Sequence, residues 1–180
     1  MNLIAFAAST SQQSINKKLV TYAADRLKSF SPQLVSEILD LNDFETPLFS
    51  VDKEQRNGHP ELAKRFLEKI QQADYIIISF AEHNGSYTAA YKNLFDWCSR
   101  IEQKVYQDKP ILAMATSPGK GGANNVLTSA INSLPHFGAK LMGSLSVPSF
   151  NQAFDSERNR LTDHELAEKL DRLLAQFVKV

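Results

Sequence analysis

The chain has 180 residues, 43% of them hydrophobic and 22% charged, enough to bury the core of one domain of ordinary size. Its 20 basic and 20 acidic residues cancel, so the basic excess typical of nucleic-acid-binding proteins is missing. No apolar run approaches the roughly 18 residues of a membrane-spanning helix, and the single cysteine, Cys98, excludes an intramolecular disulfide and fits a reducing compartment. We therefore expect a cytoplasmic domain over residues 1–180 that binds no nucleic acid, membrane or metal.

Strand-like and helix-like segments alternate five times along the chain. Apolar or alternating runs predict strands at residues 2–8, 34–39, 75–80, 111–115 and 140–147. Apolar residues at helical spacing predict helices around residues 15–27, 60–70, 94–101, 126–134 and 166–177. Residues 40–59 are predicted as a loop, and the capping-box pattern Thr162-Asp163-His164-Glu165 marks the start of the last helix.

This alternation predicts an α/β fold made of right-handed βαβ units around a parallel sheet. Five such units in a chain of this length suit the flavodoxin-like three-layer sandwich, with a five-stranded parallel sheet of order 2-1-3-4-5. In that order, strands one, three and four are neighbours at and beside the topological switch point. The loops that follow these three strands are therefore expected to converge on a ligand.

The loop after strand one, Ser9 to Asn16, is rich in hydroxyls and side-chain amides and lies directly before a helix. Backbone N–H groups and the positive end of the helix dipole meet at such a position, which suits a phosphate group. The alternative is that Ser14 only caps the helix and that the rest of the loop is solvated.

The loop after strand four, Thr116 to Gly122, contains three glycines, which permit close approach of the backbone to a flat ligand. It lacks the spacing of a phosphate-binding P-loop, because Gly121 follows Lys120 where Ser or Thr is required. A flexible turn between a strand and a helix is the alternative interpretation.

The loop after strand three offers polar side chains from Glu82, His83, Asn84 and Ser86. This loop and the helix after it resemble the motif Pro-Glu-Tyr-Asn-Gly-Ser-Tyr-Pro-Ala-x-Leu-Lys-Asn-x-x-Asp-Trp of the NADPH-dependent FMN reductase family of flavodoxin-like proteins, which includes quinone, chromate and azo-dye reductases. The matching residues are Glu82, Asn84, Gly85, Ser86, Tyr87, Ala89, Lys92, Asn93, Asp96 and Trp97. The two outer loops are similar to that family's phosphate loop, Gly-Ser-x-Arg-x-x-Ser-x-Asn, and to its Ser-x-Gly-x-x-Gly-Gly turn.

The resemblance implies that the protein binds FMN, with NADPH or NADH as the reductant. Its FMN contacts would come from all three loops: Ser9, Ser11, Ser14, Ile15, Asn16, Glu82, His83, Asn84, Gly85, Ser86, Ser117, Pro118, Gly119 and Gly122. The phosphate would lie at the start of the first helix, and the isoalloxazine ring between the second and third loops. No side chain is assigned as a catalytic acid or base, because the cofactor carries the chemistry.

The chain departs from the family pattern at four positions beside this site, the first being Ala8, which replaces the Gly of the phosphate loop. Ser11 stands where the phosphate loop of the family has Arg, and Lys17 and Lys18 are the nearest cations that could replace its charge. Ala81 and His83 replace the Pro and Tyr of the middle motif.

The activity implied by the resemblance is hydride transfer from a nicotinamide, through FMN, to a quinone-like or other small electron acceptor. The resemblance also implies a homodimer or homotetramer. Two alternatives stay open, a flavodoxin-type electron carrier and a flavin-free protein that retains the fold as a binding partner.

Overall fold

A computed structural model of the chain describes residues 1–177, and the last three residues of the predicted domain lie outside that range. The strands are β1 (Asn2–Ala8), β2 (Val35–Leu39), β3 (Tyr75–Phe80), β4 (Glu82–His83), β5 (Ser86–Tyr87), β6 (Pro110–Thr116), β7 (Lys140–Val147), β8 (Phe154–Asp155) and β9 (Arg160–Leu161). The central sheet has the order β2-β1-β3-β6-β7, and all four of its strand pairings are parallel. The predicted order 2-1-3-4-5 is therefore confirmed.

Helices cover both faces of this sheet. They are α1 (Ile15–Phe30), α2 (Val51–Asn57), α3 (Glu61–Gln72), α4 (Ala89–Ile101), α5 (Asn124–Ser133), α6 (Phe150–Ala153) and α7 (His164–Phe177), with short 3-10 helices at Leu41–Phe44 and Leu134–Phe137. Within residues 1–177, no helix is both long enough and apolar enough to cross a membrane.

The central strand β3 is buried on both faces, as its continuous apolar run predicts. Ile76 and Ile78 face a core shared with α3, α4 and α5, whereas Tyr75 and Ile77 face a second core shared with α1 and α7. Both faces of the sheet are therefore packed, and the carboxyl ends of its strands support the loops that follow them.

Three local predictions needed correction. The segment 40–59 is not a simple loop, because it contains the first 3-10 helix and α2, which Ser50 caps by accepting from the backbone N–H of Lys53 at 3.2 Å. The middle loop forms a β4–β5 hairpin before α4 begins. The last helix is capped by Asp163 in place of Thr162: the Asp163 carboxylate accepts from the Leu166 N–H at 3.1 Å, while the Thr162 hydroxyl donates to the Gln152 carbonyl.

Candidate cofactor site

The loops after β1, β3 and β6 surround one cavity of about 290 Å³ at the carboxyl end of the sheet. Among the predicted site residues, it is lined by Ser9, Ser11, Ser14, Ile15, Asn16, Glu82, His83, Ser117 and Pro118. Gln13, Ala81 and Thr116 line it as well, although they are not among the predicted FMN contacts. The sequence signal for these three residues is their position, since each lies at the end of a predicted strand or inside the first loop.

The first loop presents unused backbone donors to this cavity. The Ser14 hydroxyl caps α1 by accepting from the Lys17 N–H, and the Ser9 hydroxyl accepts from the Ser11 N–H, both at 3.2 Å. Within the described residues, the backbone N–H groups of Gln13, Ile15 and Asn16 make no hydrogen bond. Free N–H groups at the positive end of a helix dipole are suited to an anion such as a phosphate.

Asn16 lines the cavity, but the protein itself uses its side chain. Its Oδ1 accepts from the Ser79 hydroxyl at 2.8 Å and from the Thr116 N–H at 3.1 Å, and its Nδ2 donates to the Thr116 carbonyl at 3.1 Å. Asn16 therefore ties the start of α1 to the ends of β3 and β6. Its side chain fixes the shape of the site, and its backbone N–H is the group left for a ligand.

The middle loop owes its shape to Asn84 and Gly85, neither of which lines the cavity. Both have positive φ, +53° and +76°, as the two central residues of a type I′ hairpin turn require. The Asn-Gly pair is a strong hairpin signal in the sequence, and it explains why this loop turns so tightly. Ser86 follows in β5 and also lies away from the cavity lining.

Glu82 anchors this hairpin to α5. Its carboxylate accepts from the Val126 N–H in the first turn of that helix at 2.9 Å. Negative charge at a helix N-terminus is favourable, so this contact fixes the hairpin beside the cavity.

The third loop contributes Ser117 and Pro118 to the lining, while Gly119 and Gly122 lie outside it. Gly122 has a packing reason to be glycine, because a Cβ there would lie 2.3 Å from the Ser146 Oγ and its φ is +57°. The Ser146 hydroxyl donates to the Gly122 carbonyl at 2.8 Å, which holds the loop against the end of β7.

The described cavity lining contains no Lys or Arg. Lys17 forms an ion pair with Asp40, whose pKa this ammonium holds below its ordinary value through a hydrogen bond. The Lys18 ammonium donates to the Ser156 hydroxyl at 3.2 Å. Neither lysine replaces the arginine of the family's phosphate loop, so the site would hold a phosphate by N–H groups, hydroxyls and the helix dipole alone.

Cys98 is buried in α4, and burial raises the pKa of its thiol to about 12. The thiol therefore stays protonated at neutral pH and acts as a small apolar side chain.

Fold and site together define a flavodoxin-like α/β protein with a cavity at the switch point of its sheet whose free N–H groups suit an anion. The family model described as NADPH-dependent FMN reductase matches residues 1–153. The chain belongs to this family, and it is an NAD(P)H-dependent flavin oxidoreductase. The family prediction is confirmed, whereas the individual FMN contacts stay predictions.

Relatives of known name agree with this membership. An NADPH:quinone oxidoreductase of Arabidopsis thaliana is 30% identical over 97% of this chain and 88% of its own length. A quinone reductase of Escherichia coli K12 is 37% identical over 43% of this chain and 42% of its own. The solved structure of the NAD(P)H:(acceptor) oxidoreductase FerB of Paracoccus denitrificans has a TM-score of 0.77 and 25% identity, covering 99% of this chain and 95% of FerB.

Proposed function

We propose that residues 1–180 act as one FMN-binding domain that transfers hydride from NADPH or NADH to a quinone-like acceptor. The observation that carries this proposal is the set of unbonded N–H groups at the start of α1, placed in a cavity at the switch point of a flavodoxin-like sheet. Their chemistry fits the phosphate of FMN, and the family is one that uses FMN.

Ser9, Ser11 and Ser14 and the free N–H groups beside them would hold the phosphate. The hairpin residues Glu82 and His83, with Ser117 and Pro118 of the third loop, line the part of the cavity left for the ring system. FMN supplies the hydride-accepting chemistry when it is bound, and the chain supplies position and surroundings. The Glu82 carboxylate is engaged by Val126, so it orients the hairpin and we assign it no proton transfer.

A quinone-like acceptor is supported by the names of the Arabidopsis and Escherichia coli relatives. Steady-state kinetics with NADPH and NADH, each against a series of quinones, tests it. We expect turnover with at least one quinone at saturating nicotinamide. Turnover limited to free flavin as acceptor would contradict the quinone assignment while leaving the FMN site intact.

Replacing Ser11 by Arg tests where the phosphate lies. A guanidinium in the first loop adds a charge-assisted hydrogen bond worth roughly 1.5–3 kcal/mol, so Ser11→Arg should tighten FMN binding about tenfold or more. Ser29→Arg adds the same charge at the exposed far end of α1 and should leave the FMN dissociation constant unchanged. Equal effects of the two variants, measured by flavin fluorescence, would place the phosphate elsewhere.

We propose that the protein works as a homo-oligomer. The support is an open groove of about 360 Å³ between the 41–48 segment and α4, beside which Leu48 and Val51 are 73% and 54% exposed. The double change Leu48→Glu with Val51→Glu should lower the solution mass measured by light scattering. Val35→Glu, at a similarly exposed valine on the sheet edge, should leave that mass unaltered. A wild-type monomer would overturn this part of the proposal.

We propose the cytoplasm as the compartment, since NAD(P)H is the reductant and the free Cys98 suits a reducing environment. Fractionation of cells that express the tagged protein checks this, and recovery in an oxidising compartment would contradict it.

A further inference from the structure

A second cavity, of about 210 Å³, lies between α4 and the 3-10 helix at Leu134–Phe137. It shares no lining residue with the cofactor cavity. Its walls include Tyr87, Tyr91, Phe95, Tyr106 and Phe137. The proposed flavin chemistry uses none of these side chains.

The aromatic rings of this cavity form flat, ordered walls. Tyr91 and Tyr106 each lie nearly parallel to Phe95, with ring centroids 5.9 and 6.1 Å from it and interplanar angles of 27° and 25°. Phe137 meets Phe95 edge-on at 4.7 Å. Such walls favour a planar aromatic occupant, which can stack or make edge-to-face contacts with them.

The cavity also holds a polar group whose hydrogen-bonding capacity is not used up. The Tyr91 and Tyr106 hydroxyls lie 2.5 Å apart, and the two residues are only 5% and 1% exposed. One hydroxyl donates to the other, so one hydroxyl hydrogen remains, and it has no acceptor within residues 1–177. Burial raises the pKa of both phenols, which keeps both hydrogens in place at neutral pH.

The third tyrosine of the cavity, Tyr87, has no unused hydroxyl hydrogen. The Tyr87 hydroxyl lies 3.0 Å from the Ser133 hydroxyl, and Ser133 donates in turn to the Ala130 carbonyl at 3.4 Å. Both hydroxyl hydrogens in this series of hydrogen bonds have an acceptor. The unused donor of the cavity therefore belongs to the Tyr91–Tyr106 pair.

We propose that this cavity is a second ligand site, which binds a small planar aromatic molecule whose carbonyl oxygen accepts the free hydrogen of the Tyr91–Tyr106 pair. Its size suits one substituted ring, since a cavity of about 150 Å³ in another protein holds benzene. The site goes beyond the proposed FMN chemistry, because it lies in a separate cavity.

Titration with acetophenone and with ethylbenzene, which has a similar shape but no oxygen, tests the proposal by ligand-observed NMR on apoprotein and on FMN-loaded protein. We expect acetophenone to bind both forms, about fivefold or more tighter than ethylbenzene, because a hydrogen bond contributes roughly 1 kcal/mol. Binding that disappears when FMN is added would assign the probe to the cofactor cavity and overturn the proposal. Failure of the proposed FMN function leaves the apoprotein result unaffected, so the two proposals fail separately.

Two variants locate the probe. Ser99 lines the cavity and donates to the Asp96 carbonyl of its own helix, while Ser129 makes the same kind of helix contact to Asn125 and lies outside the lining. Ser99→Phe should abolish acetophenone binding, and Ser129→Phe should leave it intact. Unchanged binding in Ser99→Phe would overturn the proposal.

The double variant Tyr91→Phe with Tyr106→Phe keeps the rings and removes the hydroxyls. It should bring the acetophenone affinity down to that of ethylbenzene, and a retained preference for acetophenone would contradict the hydrogen bond.

A different outcome is that the wild type binds no probe and that Ser99→Phe loses self-association. This result would show that a second copy of the chain occupies this surface, and it would also overturn the proposal.

Discussion

Asn16 is the residue on which the geometry of the cofactor cavity depends most. Asn16→Ala leaves the buried Ser79 hydroxyl and the Thr116 N–H without their acceptor. We expect a loss of about 2–4 kcal/mol in the free energy of unfolding, because each buried polar group without a partner costs roughly 1–3 kcal/mol. Urea denaturation measures this loss. The control Asn57→Ala, at the exposed end of α2, should change the free energy of unfolding by less than about 0.5 kcal/mol. Equal losses in the two variants would refute the role of Asn16.

Two neighbouring glycines of the third loop should differ in how much stability they lose on the same change. Gly122→Ala places a Cβ against the Ser146 Oγ and the Pro148 backbone at a positive φ, and should cost about 2–4 kcal/mol. At Gly121 no atom lies within 4 Å of the new Cβ, so Gly121→Ala should be nearly neutral. Thermal unfolding of the two variants measures this difference. A Gly122→Ala protein as stable as the wild type would show that the close contact with β7 can relax.

At the scale of elements, the β4–β5 hairpin shapes one wall of the cavity through its tight turn. Gly85→Ala puts a side chain at φ +76° and should loosen the hairpin, lowering FMN affinity several-fold together with a stability loss of about 1 kcal/mol. Gly58→Ala also strains a positive-φ glycine, but at the end of α2, away from the cavity. It should lower stability without changing the FMN dissociation constant. An unaltered FMN affinity in Gly85→Ala would show that the hairpin does not contact the cofactor.

The 3-10 helix after β2 is joined to α1 by the ion pair between Asp40 and Lys17. Lys17 lowers the pKa of Asp40, so the pair stabilises the fold above the ordinary carboxyl pKa of about 4 and is lost as pH falls through the lowered value. Asp40→Asn should cost less than about 1 kcal/mol at neutral pH, and the difference from wild type should vanish in acid. Urea denaturation across pH measures this. Asp43→Asn, at an exposed position of the same helix, is the matched control.

At the scale of the whole molecule, the sheet could be predicted because buried parallel strands are nearly continuous apolar runs in the sequence. The segment from Tyr75 to Phe80 is apolar except for Ser79, and its apolar side chains alternate between the two cores. The α2 helix could not be predicted in the same way, since none of its side chains is buried and no apolar periodicity marks it. Its stability comes from the Ser50 cap, from the contact of Glu54 with the nearby His59, and from the contact of Glu54 with Arg100, which lies 46 positions away.

The site could be predicted at the level of loops and only partly at the level of residues. The strand order brings the three loops together, so Ser9, Ser14 and His83 follow from topology. The engagement of Asn16 with Thr116, 100 positions away, does not follow from topology, because it depends on side-chain geometry. The same holds for Gly122, whose neighbour Ser146 comes from a different strand.

The central claim is that the cavity at the switch point binds FMN and that the loaded protein is reduced by a nicotinamide. Apoprotein titrated with FMN and then mixed with NADPH or NADH without oxygen tests it most directly. We predict a micromolar or tighter dissociation constant, rapid loss of the visible flavin absorption with at least one nicotinamide, and its return on addition of a quinone. Absence of FMN binding, or bound flavin that neither nicotinamide reduces, would contradict the account and favour a flavin-free binding protein or an electron carrier.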